Sequence, residues 1–476
     1  MSTEAPPRLS PQEFIDQNPL SRRQRVIVTL GLLMMVAEGL DVTIAGFVFP
    51  KIVNEWGTSL NAVTATVMLS VLAMAVGGVA AAPLADRYGR RGVIVAGTSV
   101  FGLSTAAMGL TQGIGAFAAF RIVACVGLGA VLPTTLASVA DWTPVKRRGQ
   151  MVALAFTGIT AGSAVGGLLS AGFIPAYGWP MLTVVCGLGP LLLIPAFIRF
   201  VPESVSVIAT REQPAADLLK ALSTVLPGRD LSGVALNQAE ARRRPQRATR
   251  VILSRQFAAT NVLLWALFIV GMGVVGLLLS YLPLMGERMG LTTAQAGVLV
   301  AAFGWGGLVG QLSTSFALKR FDRFAVVAVL WGLSVLALGA AALWAVQYSA
   351  LLAAAFVLGL CLPAANNALQ AIAAVAYPPH VRATGMSWAS GMGRLGALAS
   401  GLAGGLMIKA GWTLDTVLLI LVVPVALGIL AALLLQARNR REQAVPPSST
   451  VGGEEGAALP AAAPQDSRLS APSGVQ

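Results

Sequence analysis

The chain has 476 residues, of which 56% are hydrophobic and only 11% charged, and it carries a formal net charge of +13. An ordinary soluble domain is about 25% charged, and the mean hydropathy here is +0.75, so a soluble multidomain protein is excluded. Apolar runs of roughly 20 residues, enough to cross a ~30 Å hydrocarbon core, recur along most of the chain. A water-free core admits only helices or a closed barrel, and the runs lack the polar alternation of barrel strands. The class is an all-α membrane protein.

The first 25 residues are polar and the first apolar run is of full spanning length, so no cleavable signal peptide is expected. In chain order, spans are predicted at 26–50, 60–84, 91–112, 115–140, 149–174 and 179–200. Six more follow at about 256–284, 292–318, 324–344, 348–376, 383–408 and 412–436. The expected division is an N-terminal segment (1–25), a six-helix bundle (26–200), a central loop (201–255), a second six-helix bundle (256–436) and a tail (437–476). The tail is rich in Pro, Ala, Ser and Gly, a composition expected to be disordered.

An even number of spans places both termini on one side. That side collects sixteen Lys and Arg in its short loops and flanks, at positions 22–25, 87–91, 146–148, 319–323, 382 and 438–441, against Lys51, Arg288 and Lys409 on the other. By the positive-inside rule the termini and the central loop are expected in the cytoplasm. The positive charge is therefore mostly topology and contact with anionic lipid, and the arginines at 242–250 are not read as a nucleic-acid site. Cys125, Cys186 and Cys361 lie inside apolar runs without CxxC spacing or His companions, so neither metal nor disulfide is expected. No cofactor is called for, and no GxxxxGK[ST] loop offers an ATP site. Gly391-Met392-Gly393-Arg394-Leu395-Gly396 matches GxGxxG but lies inside an apolar helix with no strand before it, where glycines let helices approach closely.

Six spans, a basic loop and six more spans suggest an internal repeat. Pro133 followed by Gly178-Trp179 is echoed by Pro363 followed by Gly411-Trp412. Gly77-Gly78 leading to Asp86-Arg87-Tyr88-Gly89-Arg90-Arg91 is echoed by Gly306-Gly307 leading to Lys319-Arg320-Phe321-Asp322-Arg323. Two repeats around a solute site are a recurring plan among secondary transporters.

Four charged side chains remain well inside the spans: Glu38, Asp41, Arg121 and Arg394. Each costs at least ~2.5 to 3.5 kcal/mol at a helix centre facing lipid, so all four are expected to face protein or a water-filled cavity. Glu38 and Asp41 are three apart and share a helix face; at 1.5 Å per residue Glu38 lies about 18 Å deep, near the midplane. Arg394, 12 residues from Arg382, reaches about the same depth, and Arg121 sits nearer the outer end of its span. Two adjacent, desolvated carboxyls repel, which suits them to load and release a proton; a static ion pair between helices is the alternative. Each guanidinium suits a carboxylate, belonging either to Glu38 or Asp41 or to an anionic substrate.

These residues resemble the major facilitator superfamily. Gly78 to Arg91, ending in Asp86-Arg87-Tyr88-Gly89-Arg90-Arg91, looks like its signature loop between helices 2 and 3. Ile15-Asp16, Pro19-Leu20-Ser21, Glu38-Gly39-Leu40-Asp41, Gly46, Pro50, Arg382-Ala383-Thr384-Gly385 and Gly393-Arg394-Leu395-Gly396 narrow the resemblance to the aromatic acid:H+ symporter family, over about residues 12–436. The chain departs from that family's Asp-Gly-Phe/Tyr-Asp in having Glu38 first, and its second signature loop has Lys319 where the first has Asp86. The resemblance implies a monomeric inner-membrane symporter that takes up a hydroxybenzoate or benzoate with protons. Proton coupling is expected at Glu38 and Asp41, and substrate contacts at Arg394 and Arg121. Asn366, Asn367 and Trp388, with Trp265, Tyr281 and Phe303 nearby, are expected to meet the ring. For the cytoplasmic gate the expectation is Asp86 with Arg382 or the start of helix 11, Arg90 with Asp141, and Arg87 beside them. The alternatives are a symporter of a non-aromatic acid or a proton-linked drug exporter. Such exporters share GxxxGPxxGG in helix 5, and here Ser163 takes the Pro position among Gly158, Gly162, Gly166 and Gly167. A receptor built on this scaffold would need a signalling domain, which the tail does not offer.

Overall fold

The computed structural model describes residues 11–208, 214–229, 251–344, 347–377 and 382–444. Every regular element among them is helical: α1 (Pro11–Gln17), α2 (Arg22–Trp56), α3 (Leu60–Tyr88), α4 (Arg90–Met108), α5 (Ile114–Asp141), α6 (Val145–Leu191), α7 (Leu193–Phe200), α8 (Val205–Ile208), α9 (Pro214–Val225), α10 (Arg255–Arg288), α11 (Thr293–Arg320), α12 (Arg323–Leu343), α13 (Tyr348–Ala376), α14 (Arg382–Lys409) and α15 (Leu414–Ala444). The expected tail beyond Ala444 and the arginine-rich run at 242–250 lie outside the described residues.

Ten helical stretches among the described residues are long and apolar enough to cross a membrane. One of them, Val145–Phe200, crosses twice: Gly178 (φ 78°, ψ 165°) turns the chain inside α6, and α7 continues the return. The crossing made by α14 is the less apolar one, since it carries Arg394 among many glycines. The fold is thus twelve transmembrane helices in two six-helix bundles. Gly411 turns the chain between α14 and α15 with φ 75°, so both Gly-Trp pairs of the sequence repeat begin at a glycine with positive φ.

Helix ends follow local chemistry. Ser21 Oγ accepts from Gln24 N (3.0 Å) while Gln24 Oε1 accepts from Ser21 N (2.8 Å), a capping box that starts α2. Asp322 Oδ1 caps α12 by accepting from Phe324 N (3.0 Å) and Ala325 N (3.2 Å). The Ile15-Asp16 motif is also structural: Ile15 is fully buried, and Asp16 Oδ1 accepts from Val145 N at the start of α6 (2.7 Å). Part of the central stretch belongs to this end of the first bundle. Leu218, Leu222 and Val225 of α9 pack in one cluster with Phe14, Ile15, Phe197 and Val201, and Ser21 Oγ donates to Val225 O (2.7 Å).

In the first bundle α2 packs on α6, α3 on α5, and α4 on both α5 and α6; in the second α10 packs on α14, and α11 and α12 on α13. The bundles meet along two seams, α6 against α11 and α3 against α14, with α2 against α10 between them. Small residues set the closeness. A Cβ at Gly39 would run into the carbonyl of Ile159 on α6, and backbone cannot retreat as a side chain can. Gly39→Ala is therefore expected to lose about 1–3 kcal/mol, read as a lowered melting temperature of the purified protein, with a surface change such as Gly115→Ala as the neutral control because open space surrounds that position.

Candidate functional site

Glu38 and Asp41 project from the middle of α2 and are 3% and 4% exposed. Arg121, on α5, is equally buried and points its Nη1 at both oxygens of Asp41, 2.7 Å from Oδ1 and 2.6 Å from Oδ2. This charge-assisted pair ties α5 to α2 within the first bundle. Arg121 Nε and Glu38 Oε2 are both buried with no hydrogen-bond partner, so the pair leaves unused capacity on each side of it.

Arg394 comes from the other bundle. Its guanidinium lies on α3 at Gly78, where a Cβ would sit 2.6 Å from Nη1. It is half-buried and within electrostatic range of Glu38, yet among the described residues no carboxylate stands at ion-pair distance from it. The cluster so formed has two carboxyls and two guanidiniums, Asp41 and Arg121 already joined and Glu38 and Arg394 within electrostatic range of each other.

The second bundle adds polar and aromatic groups. Asn366 is half-buried on α13, its Oδ1 unpartnered and its Nδ2 3.9 Å from Met272 Sδ on α10; Asn367 is half-buried beside it. Trp388 stacks on Trp265, centroids 5.8 Å apart and planes 19° apart. Tyr281 is occupied elsewhere, donating to Gly401 O (2.6 Å).

At the end of the bundle near the termini, Arg90 Nη1 lies 3.0 Å from Asp141 Oδ2, and Ser204 Oγ donates to the same carboxylate. Arg87 covers the Tyr88 ring at 5.3 Å. Asp86 closes the last turn of α3; the side chain of Arg382 lies outside the described residues. Glu203 was not singled out by the sequence, yet its Oε1 accepts from Arg90 N (2.8 Å) and Arg91 N (3.4 Å) at the start of α4. Its position just after an apolar span was the only signal.

Two polar contacts that join the bundles were likewise missed. Thr160 Oγ1 on α6 donates to Gln311 Oε1 on α11 (3.1 Å). At the end opposite the termini, Lys51 Nζ lies 3.3 Å from Glu287 Oε1 and donates to Thr293 Oγ1 (2.7 Å), which donates to Glu287 Oε1 (2.7 Å). Lys51, Glu287 and Thr293 look like ordinary loop-flanking polar residues until the bundles are assembled. Because the pair crosses from one bundle to the other, Lys51→Glu is expected to favour opening at that end by the few-fold typical of a part-exposed pair. Labelling of a cysteine placed deeper in the cleft should rise, and Lys51→Glu with Glu287→Lys should bring it back.

Paired helical bundles meeting on a buried charge cluster follow the plan of a secondary transporter. The profile of the Major Facilitator Superfamily matches residues 31–330 and 285–463. The chain is 32% identical over 420 residues to the 4-hydroxybenzoate transporter PcaK of Pseudomonas putida, covering 88% of this chain and 94% of that protein. It is 32% identical over 425 residues to the gallate transporter of the same organism, covering 89% and 94%. Among solved structures, the xylose transporter XylE of E. coli superposes with a TM-score of 0.70 at 14% identity, covering 88% of this chain and 98% of that one. The chain belongs to the major facilitator superfamily, and its relatives there include transporters of aromatic acids.

Proposed function

We propose that the protein takes up a small aromatic carboxylate, such as a hydroxybenzoate or benzoate, together with protons, in a bacterial inner membrane. The observation that carries this reading is two unpaired charges in one cluster: Arg394, half-buried and without a carboxylate at ion-pair distance among the described residues, and Glu38, buried and unpartnered at Oε2. An unpaired carboxylate there bears the full cost of desolvation, and taking up a proton removes it. An unpaired guanidinium there binds a substrate carboxylate in the same way. Relatives that carry 4-hydroxybenzoate and gallate supply the aromatic class. In this scheme Glu38 and Asp41 handle the proton, Arg394 and then Arg121 the carboxylate, and Asn366, Asn367 and Trp388 the ring. The bundles rock about the site, with Asp86, Arg87, Arg90, Asp141 and Arg382 working the gate beside the termini. The basic flanks support a cytoplasmic position for that gate and both termini.

Proteoliposomes test the proposal. With acid outside, hydroxybenzoate or benzoate should accumulate above its external level, and a protonophore should abolish the accumulation. Downhill movement of aromatic acids that a pH gradient neither drives nor abolishes would remove the proton from the scheme. Expulsion of hydrophobic cations with no movement of acids would favour the drug exporter.

A further inference from the structure

The two seams between the bundles place one polar group each at similar depth. Arg394 lies at the α3–α14 seam, 12 residues from the start of α14. Gln311 lies at the α6–α11 seam, nine residues from the end of α11. At 1.5 Å per residue both are about 14 to 18 Å from the membrane face near the termini. The turn of α2 that carries Glu38 and Asp41 runs between the two: Glu38 is within electrostatic range of Arg394, and Gly39 rests on Ile159, the neighbour of Thr160. One turn of α11 from Gln311, Gly307 packs against both Thr160 and Pro363, which leads to Asn366 and Asn367 on α13.

Gln311 is only 4% exposed. Its Oε1 accepts from Thr160, but its Nε2 has no partner among the described residues. Its bond to Thr160 places this side chain at the contact of α6 with α11, on the seam between the bundles. A buried amide with half its capacity unused is costly unless something pairs with it. A carboxylate held by Arg394 would leave the far end of an aromatic ring facing the opposite seam.

We infer that Gln311 is a specificity residue, whose amide hydrogen-bonds a hydroxyl on the ring at the end remote from the carboxylate. This rests on the aromatic acid reading above and names the subclass, hydroxylated aromatic acids over unsubstituted ones. A site built to pair with a hydroxyl discriminates against the analogue that lacks it, because its own polar group is then left unpaired.

The test is titration of benzoate, 3-hydroxybenzoate and 4-hydroxybenzoate against the purified full chain. The wild type should bind the better hydroxylated acid at least about 10-fold more tightly than benzoate. Gln311→Leu should weaken that acid about 10-fold or more while leaving benzoate within about 3-fold. Thr160→Val, which removes the cross-seam bond but leaves the Gln311 amide in place, should keep the preference for a hydroxyl. If Gln311→Leu does not fold, Gln311→Asn must shrink the preference by withdrawing the amide one methylene. No preference in the wild type, an unchanged preference in these Gln311 variants, or equal loss of both acids would each overturn the inference. A wild type that folds but binds no aromatic acid would instead remove the reading beneath it, and the inference with it.

Discussion

Arg394→Lys is expected to lose binding of the transported acid by about 30-fold or more, and Arg394→Gln by at least as much. The guanidinium approaches α3 at Gly78, where a Cβ would sit 2.6 Å from Nη1, so its place depends on a residue without a side chain. Lysine keeps the charge but not the two parallel donors that grip a carboxylate. The corresponding amide of the substrate should bind the wild type poorly for the complementary reason. Titration of acid and amide against the wild type and both variants, with a thermal melt as folding control, reads all of this. If Arg394→Lys binds the acid as the wild type does, or acid and amide bind alike, Arg394 serves packing between α3 and α14.

Glu38→Gln is expected to abolish accumulation driven by an acid gradient while leaving exchange of acid across the membrane. The amide cannot take up and release the proton, yet it has the size of the carboxyl it replaces. Asp41→Asn should behave differently, although the two residues share a helix face. Its carboxylate holds Arg121 at 2.6 and 2.7 Å, and removing one partner of a buried pair costs about 3–5 kcal/mol. Loss of thermal stability together with loss of transport is therefore expected for Asp41→Asn, and loss of accumulation alone for Glu38→Gln. Wild-type accumulation in Glu38→Gln would take the coupling role away from it.

The contrast between these carboxyls also marks how far the sequence was legible. The spans were readable because lipid imposes one strong rule on composition, and the four misplaced charges stood out against it. Their partners were not readable. Spacing put Glu38 and Asp41 on one face, but only the approach of α5 gives Arg121 to Asp41 and leaves Glu38 without that partner. Gln311 and Thr160 escaped notice because a single uncharged polar residue in a membrane helix is common, and its meaning depends on what crosses from the other bundle. Helix ends were underestimated for a simpler reason: α2 runs from Arg22 to Trp56, past the hydrocarbon core, because capping and not hydropathy stops it. The motif before α2 was recognised as a pattern, while its work, Asp16 capping α6 and Ser21 holding α9, required the fold.

Two carboxyls and two guanidiniums give the central cluster no net formal charge. An element that moves within the membrane field without net charge does no work against the voltage, whereas each uncompensated charge carried across would count for about 2.3 kcal/mol per 100 mV. A carboxylate anion arriving with a single proton preserves that balance. With that stoichiometry the transporter would be electrically silent, its accumulation set by the pH difference across the membrane and indifferent to the membrane potential.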